Sequence, residues 1–129
     1  MNPSFFVCFI NPPSDGNNLV GPIPAYIFSA LPKLAELDLS DNSLSGTITT
    51  FVSYNQHGTY PPRLSGLNIK ENYVTGPVPE ELPESLLTME MQNNDIVDNL
   101  EWIESLTNIR ILHANNNNFY GDIPNSLSG

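Results

Sequence analysis

The chemistry open to this chain rests on 14 Asp and Glu residues, two histidines and a single cysteine. Glu36, Asp38 and Asp41 lie close together, and carboxylates on neighbouring strands can reach the separations that glycoside hydrolysis requires. Such a pair also needs an enclosed, water-excluding pocket, which a shallow strand surface does not provide. His113 can pair with Glu90 as a pH-sensitive couple, or it can be a solvated histidine on a sheet surface. The chain contains no G-x-S-x-G, H-E-x-x-H, C-x-x-C or glycine-rich phosphate loop. It also lacks the D-x-[DN]-x-[DN]-G loop that would arrange oxygens around calcium. Cys8 alone can form neither an internal disulfide nor a multi-cysteine metal site, and it reads as an inert, partly buried thiol. The expectation is a protein without catalytic residues, cofactor or metal.

What positions these side chains is an internal repeat. Leu34, Leu37, Leu39, Asn42, Leu44, Gly46 and Ile48 recur as Leu64, Leu67, Ile69, Asn72, Val74, Gly76 and Val78. They recur again as Leu86, Met89, Met91, Asn94, Ile96, Asp98 and Leu100, and as Ile109, Leu112, Ala114, Asn117, Phe119, Gly121 and Ile123. Asn17, Leu19, Gly21, Ile23 and Pro24 match the second half of one further copy, upstream, whose first half has decayed. The asparagines at 17, 42, 72, 94 and 117 lie 25, 30, 22 and 23 residues apart, and the 30 marks an insertion. Residues 1–16 therefore read as a degenerate N-terminal segment or decayed first repeat strand. Residues 17–129 read as four to five repeats, the last incomplete.

Apolar residues two apart, as in Leu37 and Leu39, put both side chains on one face of a short strand, so stacked copies predict a parallel sheet. The asparagine follows where the chain turns away, and its amide can satisfy the unpaired backbone of that turn. Asn17, Asn42, Asn72, Asn94 and Asn117 should thus form a buried structural ladder. The glycine that follows suits positive φ or close approach. Between copies, 25–33 and 80–85 suit short helical or 3₁₀ turns, and Trp102, Ile103 and Leu106 have the spacing of a helical turn. Phe28, Phe51 and Trp102 read as core fillers.

Outward positions then form rows. Asp38, Asn68, Glu90 and His113 make the first; Ser40, Lys70, Gln92 and Asn115 the second; Asp41, Glu71, Asn93 and Asn116 the third, with Glu36 adding a carboxylate. This surface is acidic toward the first repeats and amide-rich toward the last, which suits a basic or hydrogen-bonding peptide. Any half-exposed sheet must carry solvated residues of this kind, whether or not it binds anything. The insertion 52–63 holds Tyr54, His57 and Tyr60 and is a second candidate contact, or ordinary drift in a surface loop.

With 4 Lys and Arg against 14 Asp and Glu, the net charge of −10 disfavours nucleic acid and anionic lipid. The longest apolar run, from Phe5 to Ile10, is far too short to span a bilayer. Residues 1–14 carry no basic residue and are broken by Pro12 and Pro13, unlike a secretory signal. The glycosylation acceptor N-x-[ST] is absent.

The block resembles the plant-type leucine-rich repeat, whose mark is L-x-G-x-I-P. That mark stands here as Leu19, Gly21, Ile23 and Pro24, and in altered form as Val74, Gly76, Val78 and Pro79, and as Phe119, Gly121, Ile123 and Pro124. Thr49 replaces the proline of one copy, and Asp98 and Glu101 replace the glycine and proline of another. The resemblance implies an α/β solenoid: a right-handed superhelix with a parallel β-sheet on its concave face and short 3₁₀ or helical turns on its convex face. It also implies a recognition scaffold for a protein or peptide, as in receptor-like proteins, receptor-like kinase ectodomains and polygalacturonase-inhibiting proteins, and an extracellular or membrane-associated location. The paired cysteines of their N-terminal caps have no counterpart here. Both ends of the array read as uncapped, so self-association or a fragment of a longer protein is expected. A non-functional repeat remnant and, more distantly, a glycan-active enzyme are the competing readings.

Overall fold

The computed structural model describes residues 7–9, 20–22, 35–48, 64–79 and 82–124. Five three-residue strands, β1 (Val7–Phe9), β3 (Glu36–Asp38), β5 (Gly66–Asn68), β6 (Thr88–Glu90) and β7 (Ile111–His113), form one parallel sheet in the order β1-β3-β5-β6-β7. Consecutive strands stay in register, so Cys8, Leu37, Leu67, Met89 and Leu112 stand side by side at the central position. The strand β1 lies within the 1–16 segment.

The period-two argument accounts for burial. Leu37, Leu67 and Met89 are buried at the strand centres, and Leu39, Ile69 and Met91 lie two residues on, also buried. Leu44, Val74 and Ile96 continue the filling, with Leu64, Leu86, Ile48 and Val78 beside them. Each such side chain contributes roughly 1.5–3 kcal/mol of transfer free energy. The core is thus a continuous ribbon of stacked layers.

Backbone pairing outruns the strands. Leu39, Ile69 and Met91 N–H donate to the carbonyls of Asn68, Glu90 and His113 at 2.8 Å each, and Asp41, Glu71 and Asn93 N–H donate to Lys70, Gln92 and Asn115. The chain then leaves the sheet through a left-handed residue in each of the four described copies: Asp41 (φ 59°), Glu71 (59°), Asn93 (62°) and Asn116 (59°). The repeat asparagine comes next. Asn42, Asn72 and Asn94 are buried and Asn117 is half-buried. Asn17, Phe28, Phe51 and the insertion tyrosines lie outside the described residues.

A second strip of parallel pairing runs through the L-x-G-x-I-P segments, outside the strands that the repeat pattern predicts. β2 (Val20–Pro22) pairs with β4 (Ser43–Ser45), and Thr75 bridges Asp95. Tyr73 and Thr75 N–H reach the carbonyls of Leu44 and Gly46, and Asn118 and Tyr120 N–H reach those of Ile96 and Asp98. Extended backbone stacked at the repeat spacing has donors and acceptors facing each other, so these segments pair as the strands do. Among the described residues one 3₁₀ helix occurs, Glu101–Ser105, with Trp102 and Ile103 buried against the core. The Trp102 indole N–H donates to the Asn99 carbonyl at 2.9 Å, and its ring centroid lies 5.4 Å from that of Phe119.

Candidate functional site

The open face of the five-stranded sheet carries the side chains that alternate with the core. Strand register sets Glu36, Gly66, Thr88 and Ile111 in one row, and Asp38, Asn68, Glu90 and His113 in the next. Asp38 is held in place, its Oδ1 accepting from the Ser40 backbone N–H at 3.0 Å and the Ser40 hydroxyl at 2.6 Å. Asn68 Oδ1 accepts from Lys70 N–H at 3.1 Å in the same way. Glu90 Oε1 lies 4.0 Å from Lys70 Nζ and 3.8 Å from His113 Nδ1, and all three side chains remain partly exposed. A half-exposed pair of this kind is screened by water and contributes at most about 1 kcal/mol. The Glu90 carboxylate is therefore placed between two donors while staying reachable.

Gly66 is a feature of this face that the sequence reading does not single out. It stands in register between Glu36 and Thr88, and a Cβ there would lie 3.2 Å from Thr88 Oγ1 and 3.4 Å from Glu36 Cγ. Its missing side chain leaves a hollow of about 180 Å³ bordered by Glu36, Asp38, Asn68, Thr88 and Glu90. The available signal was the pattern itself, since a glycine directly before Leu67 falls on the outward position that Glu36 takes one repeat earlier. Among the described residues Glu36 makes no hydrogen bond or ion pair with another side chain.

Asp41 and Glu71 do not share that hollow. With Asn93 they occupy the left-handed turns and border a separate, open depression of about 580 Å³ together with Ser43, Tyr73 and Asp95. There Asn93 Nδ2 donates to Glu71 Oε2 at 2.6 Å, and Asn116 Nδ2 to Asn93 Oδ1 at 2.7 Å, a surface chain parallel to the buried asparagine ladder. The structure thus divides the third row from the first two. Gln92 Oε1, in the second row, is buried with no hydrogen-bond partner. Asn115 is exposed.

A third hollow, of about 450 Å³, lies on the flank between Pro77, Pro79, Asp98, Glu101, Trp102 and Glu104. Asp98, which replaces the repeat glycine, is built into the backbone here: its Oδ2 accepts from Val78 N–H at 2.9 Å and its Oδ1 from Asn99 N–H at 2.8 Å. Among the described residues no group of three or more His, Cys, Asp or Glu is arranged to hold a metal ion, and no helix is long and apolar enough to cross a membrane. The arrangement can offer carboxylates, amides and one imidazole to a ligand lying across the strands.

The model of the Leucine Rich Repeat family matches residues 33–55 and 108–129. Receptor-like protein 32 of Arabidopsis thaliana is 34% identical over 132 residues, covering 83% of this chain and 14% of that protein. The leucine-rich repeat receptor protein kinase MSP1 of Oryza sativa subsp. japonica is 34% identical over 97 residues, covering 70% of this chain and 7% of that protein. The chain thus spans about one seventh of the length of Receptor-like protein 32 and less of the rice kinase. Among solved structures, the BIR3–SERK2 complex of Arabidopsis thaliana superposes with a TM-score of 0.72 at 26% identity, covering 84% of this chain and 56% of that one. PEPR1–AtPEP1 gives 0.61 at 30% identity, covering 86% and 15%. With repeat, layered core and parallel sheets in agreement, the chain is a plant-type leucine-rich-repeat protein that resembles the receptor-like proteins of plants.

Proposed function

We propose that the chain is a non-catalytic recognition scaffold whose open strand face, concave in a right-handed superhelix with helical turns behind it, binds a protein or peptide. The observation that carries this reading is the separation of roles across the strands. Inward positions are filled by core, whereas Glu36, Asp38, Asn68, Lys70, Glu90, Gln92, His113 and Asn115 are set in rows across the other face of the sheet. Asp41 and Glu71 extend the surface toward the turn edge, and Tyr54, His57 and Tyr60 of the insertion supply a second contact. Two of the solved relatives are complexes, BIR3 with SERK2 and PEPR1 with AtPEP1, which supports partners of protein or peptide nature here. With Glu36, Asp38 and Glu90 around the hollow at Gly66, the favoured ligand is basic. A second copy of the chain is a further candidate partner.

The reading is tested by titrating the chain with a Lys/Arg-rich peptide library and a charge-reversed library in a calorimeter. Binding confined to the basic set, weakened at least tenfold by Asp38→Lys with Glu90→Lys, is the expected result. Equal affinity for both sets, or binding indifferent to the double substitution, overturns it.

A further inference from the structure

The open depression of about 580 Å³ at the turn edge is bordered by residues of three successive copies, those of Asn42, Asn72 and Asn94. It therefore lies along the side of the array, where a layer stacked at either end does not close it. Tyr73 is the residue there that the fold leaves unexplained. Its neighbours Asn72 and Val74 are buried in the ladder and the core, whereas Tyr73 itself is 60% exposed. The same place in the repeat holds Ser43, Asp95 and Asn118 in the other copies, so stacking does not call for an aromatic ring.

Polar groups of both kinds surround that ring. Asn93 Nδ2 gives one hydrogen to Glu71 Oε2 at 2.6 Å, and Asn93 Oδ1 accepts from Asn116 Nδ2 at 2.7 Å. The chain of bonds fixes amide and carboxylate beforehand, and it leaves the second Asn93 hydrogen and Glu71 Oε1 without a partner among the described residues. The Asp95 carboxylate and the Tyr73 hydroxyl likewise make no hydrogen bond among the described residues. The backbone beneath is set, since Asp41, Glu71 and Asn93 share the same left-handed turn.

We propose that this depression binds a neutral hexose ring of an oligosaccharide, with Tyr73 as its apolar platform and Asp41, Glu71, Asn93 and Asp95 around its hydroxyls. The proposal goes beyond peptide recognition on the strand face and does not depend on it. A hexose is apolar on its C–H faces and hydroxylated at its rim, and each hydroxyl both donates and accepts, as the mixed lining requires. An ammonium or guanidinium only donates, so it would leave the Asn93 N–H and the Tyr73 O–H unmatched. The three carboxylates take hydroxyl protons in charge-assisted bonds and repel uronates and sulfated sugars. Tyrosine supplies a large, rigid contact at low entropic cost, and groups held before binding need little further ordering. The volume falls in the range of roughly 300–1,000 Å³ found for small-molecule sites.

Calorimetric titration of the whole chain with cellohexaose, maltohexaose and hexagalacturonate tests the proposal. Saturable binding of at least one neutral hexamer is expected, with a Kd below about 1 mM, and binding of the uronate at least about tenfold weaker. Tyr73→Ala is expected to weaken the neutral hexamer by about tenfold or more, while Tyr73→Phe, which keeps the ring, stays within about threefold. Tyr120→Ala, at another exposed tyrosine that does not border the depression, is expected to bind as the unsubstituted chain does. In the unsubstituted chain the Asn93 side-chain amide resonances are expected to move on saturation and those of Gln92 to stay. Binding of neither neutral hexamer, equal affinity for the uronate, equal effects of Tyr73→Ala and Tyr120→Ala, or unmoved Asn93 resonances overturns the proposal. Asp38→Lys with Glu90→Lys, on the strand face, is expected to leave hexamer binding unchanged, so failure of the peptide reading and failure of this one are distinguishable.

Discussion

Asn72 ties two repeats together through one side chain. Its Nδ2 donates to the carbonyls of Leu39, Ile69 and Lys70 at 2.9–3.1 Å, and its Oδ1 accepts from Leu44 N–H at 2.9 Å. Asn94 and Asn117 repeat the set one layer on at a time. An amide suits the position because it alone among uncharged side chains brings two donor hydrogens and an acceptor to the same point. Asn72→Ala leaves the Leu44 N–H buried without a partner, at roughly 1–3 kcal/mol, while the Leu39, Ile69 and Lys70 carbonyls keep the Asn42 Nδ2, the Asn94 Nδ2 and the Asp41 N–H. The expected loss is about 2 kcal/mol in a urea titration. Asn117→Ala, at a half-buried site that water can reach, is expected to cost less than half as much. Equal costs would show that burial does not set the value of a ladder position.

The strands were legible in the sequence because period-two alternation with an apolar inner face has few other interpretations: Leu37 with Leu39, and Met89 with Met91, lie where that pattern puts them. Other elements were hidden for physical reasons. The L-x-G-x-I-P segments carry glycine and proline, which read as turn residues, yet their backbones pair across copies. Asp41 and Glu71 read as outward strand positions, whereas the left-handed φ that starts the turn is set by backbone geometry and not by hydrophobic pattern. The hollow at Gly66 depends on which residues flank it in neighbouring strands, which becomes visible only with the register.

The repeat glycines also differ from one another at this scale. Gly46 and Gly121 have φ of 79° and 91°, but Gly76 is required by proximity, since a Cβ there would stand 2.8 Å from the Val97 carbonyl oxygen. Gly76→Ala forces the segment after Asn72 away from the one after Asn94. The expected cost is about 1–3 kcal/mol, as for an overpacked core, read as a lower urea midpoint with an unchanged slope. No change in midpoint would mean that the two segments separate freely.

The whole molecule sets a layered apolar ribbon against a charge of −10, with 14 acidic side chains distributed over the repeats. Each layer touches its neighbours alone, so the energy of the array is close to a sum of layer and interface terms, and repulsion between successive acidic layers weakens every interface. Along the sheet face Glu36, Asp38 and Glu90 converge on one hollow, while Lys70 and His113 both approach Glu90. Added salt screens the excess repulsion over distances beyond about 10 Å at 0.1 M, and it weakens the few exposed attractions as well. Because acids outnumber bases by more than three to one, screening of repulsion prevails. The urea midpoint is expected to rise as sodium chloride increases from 0.02 to about 0.5 M, within the range where screening rather than salting-out dominates. The same salt is expected to weaken binding of a Lys/Arg-rich peptide to the strand face. Opposite signs for stability and binding are the signature of an acidic surface held together by its core and occupied through its charge, and a midpoint that falls with salt would place net attraction, not repulsion, among the surface charges.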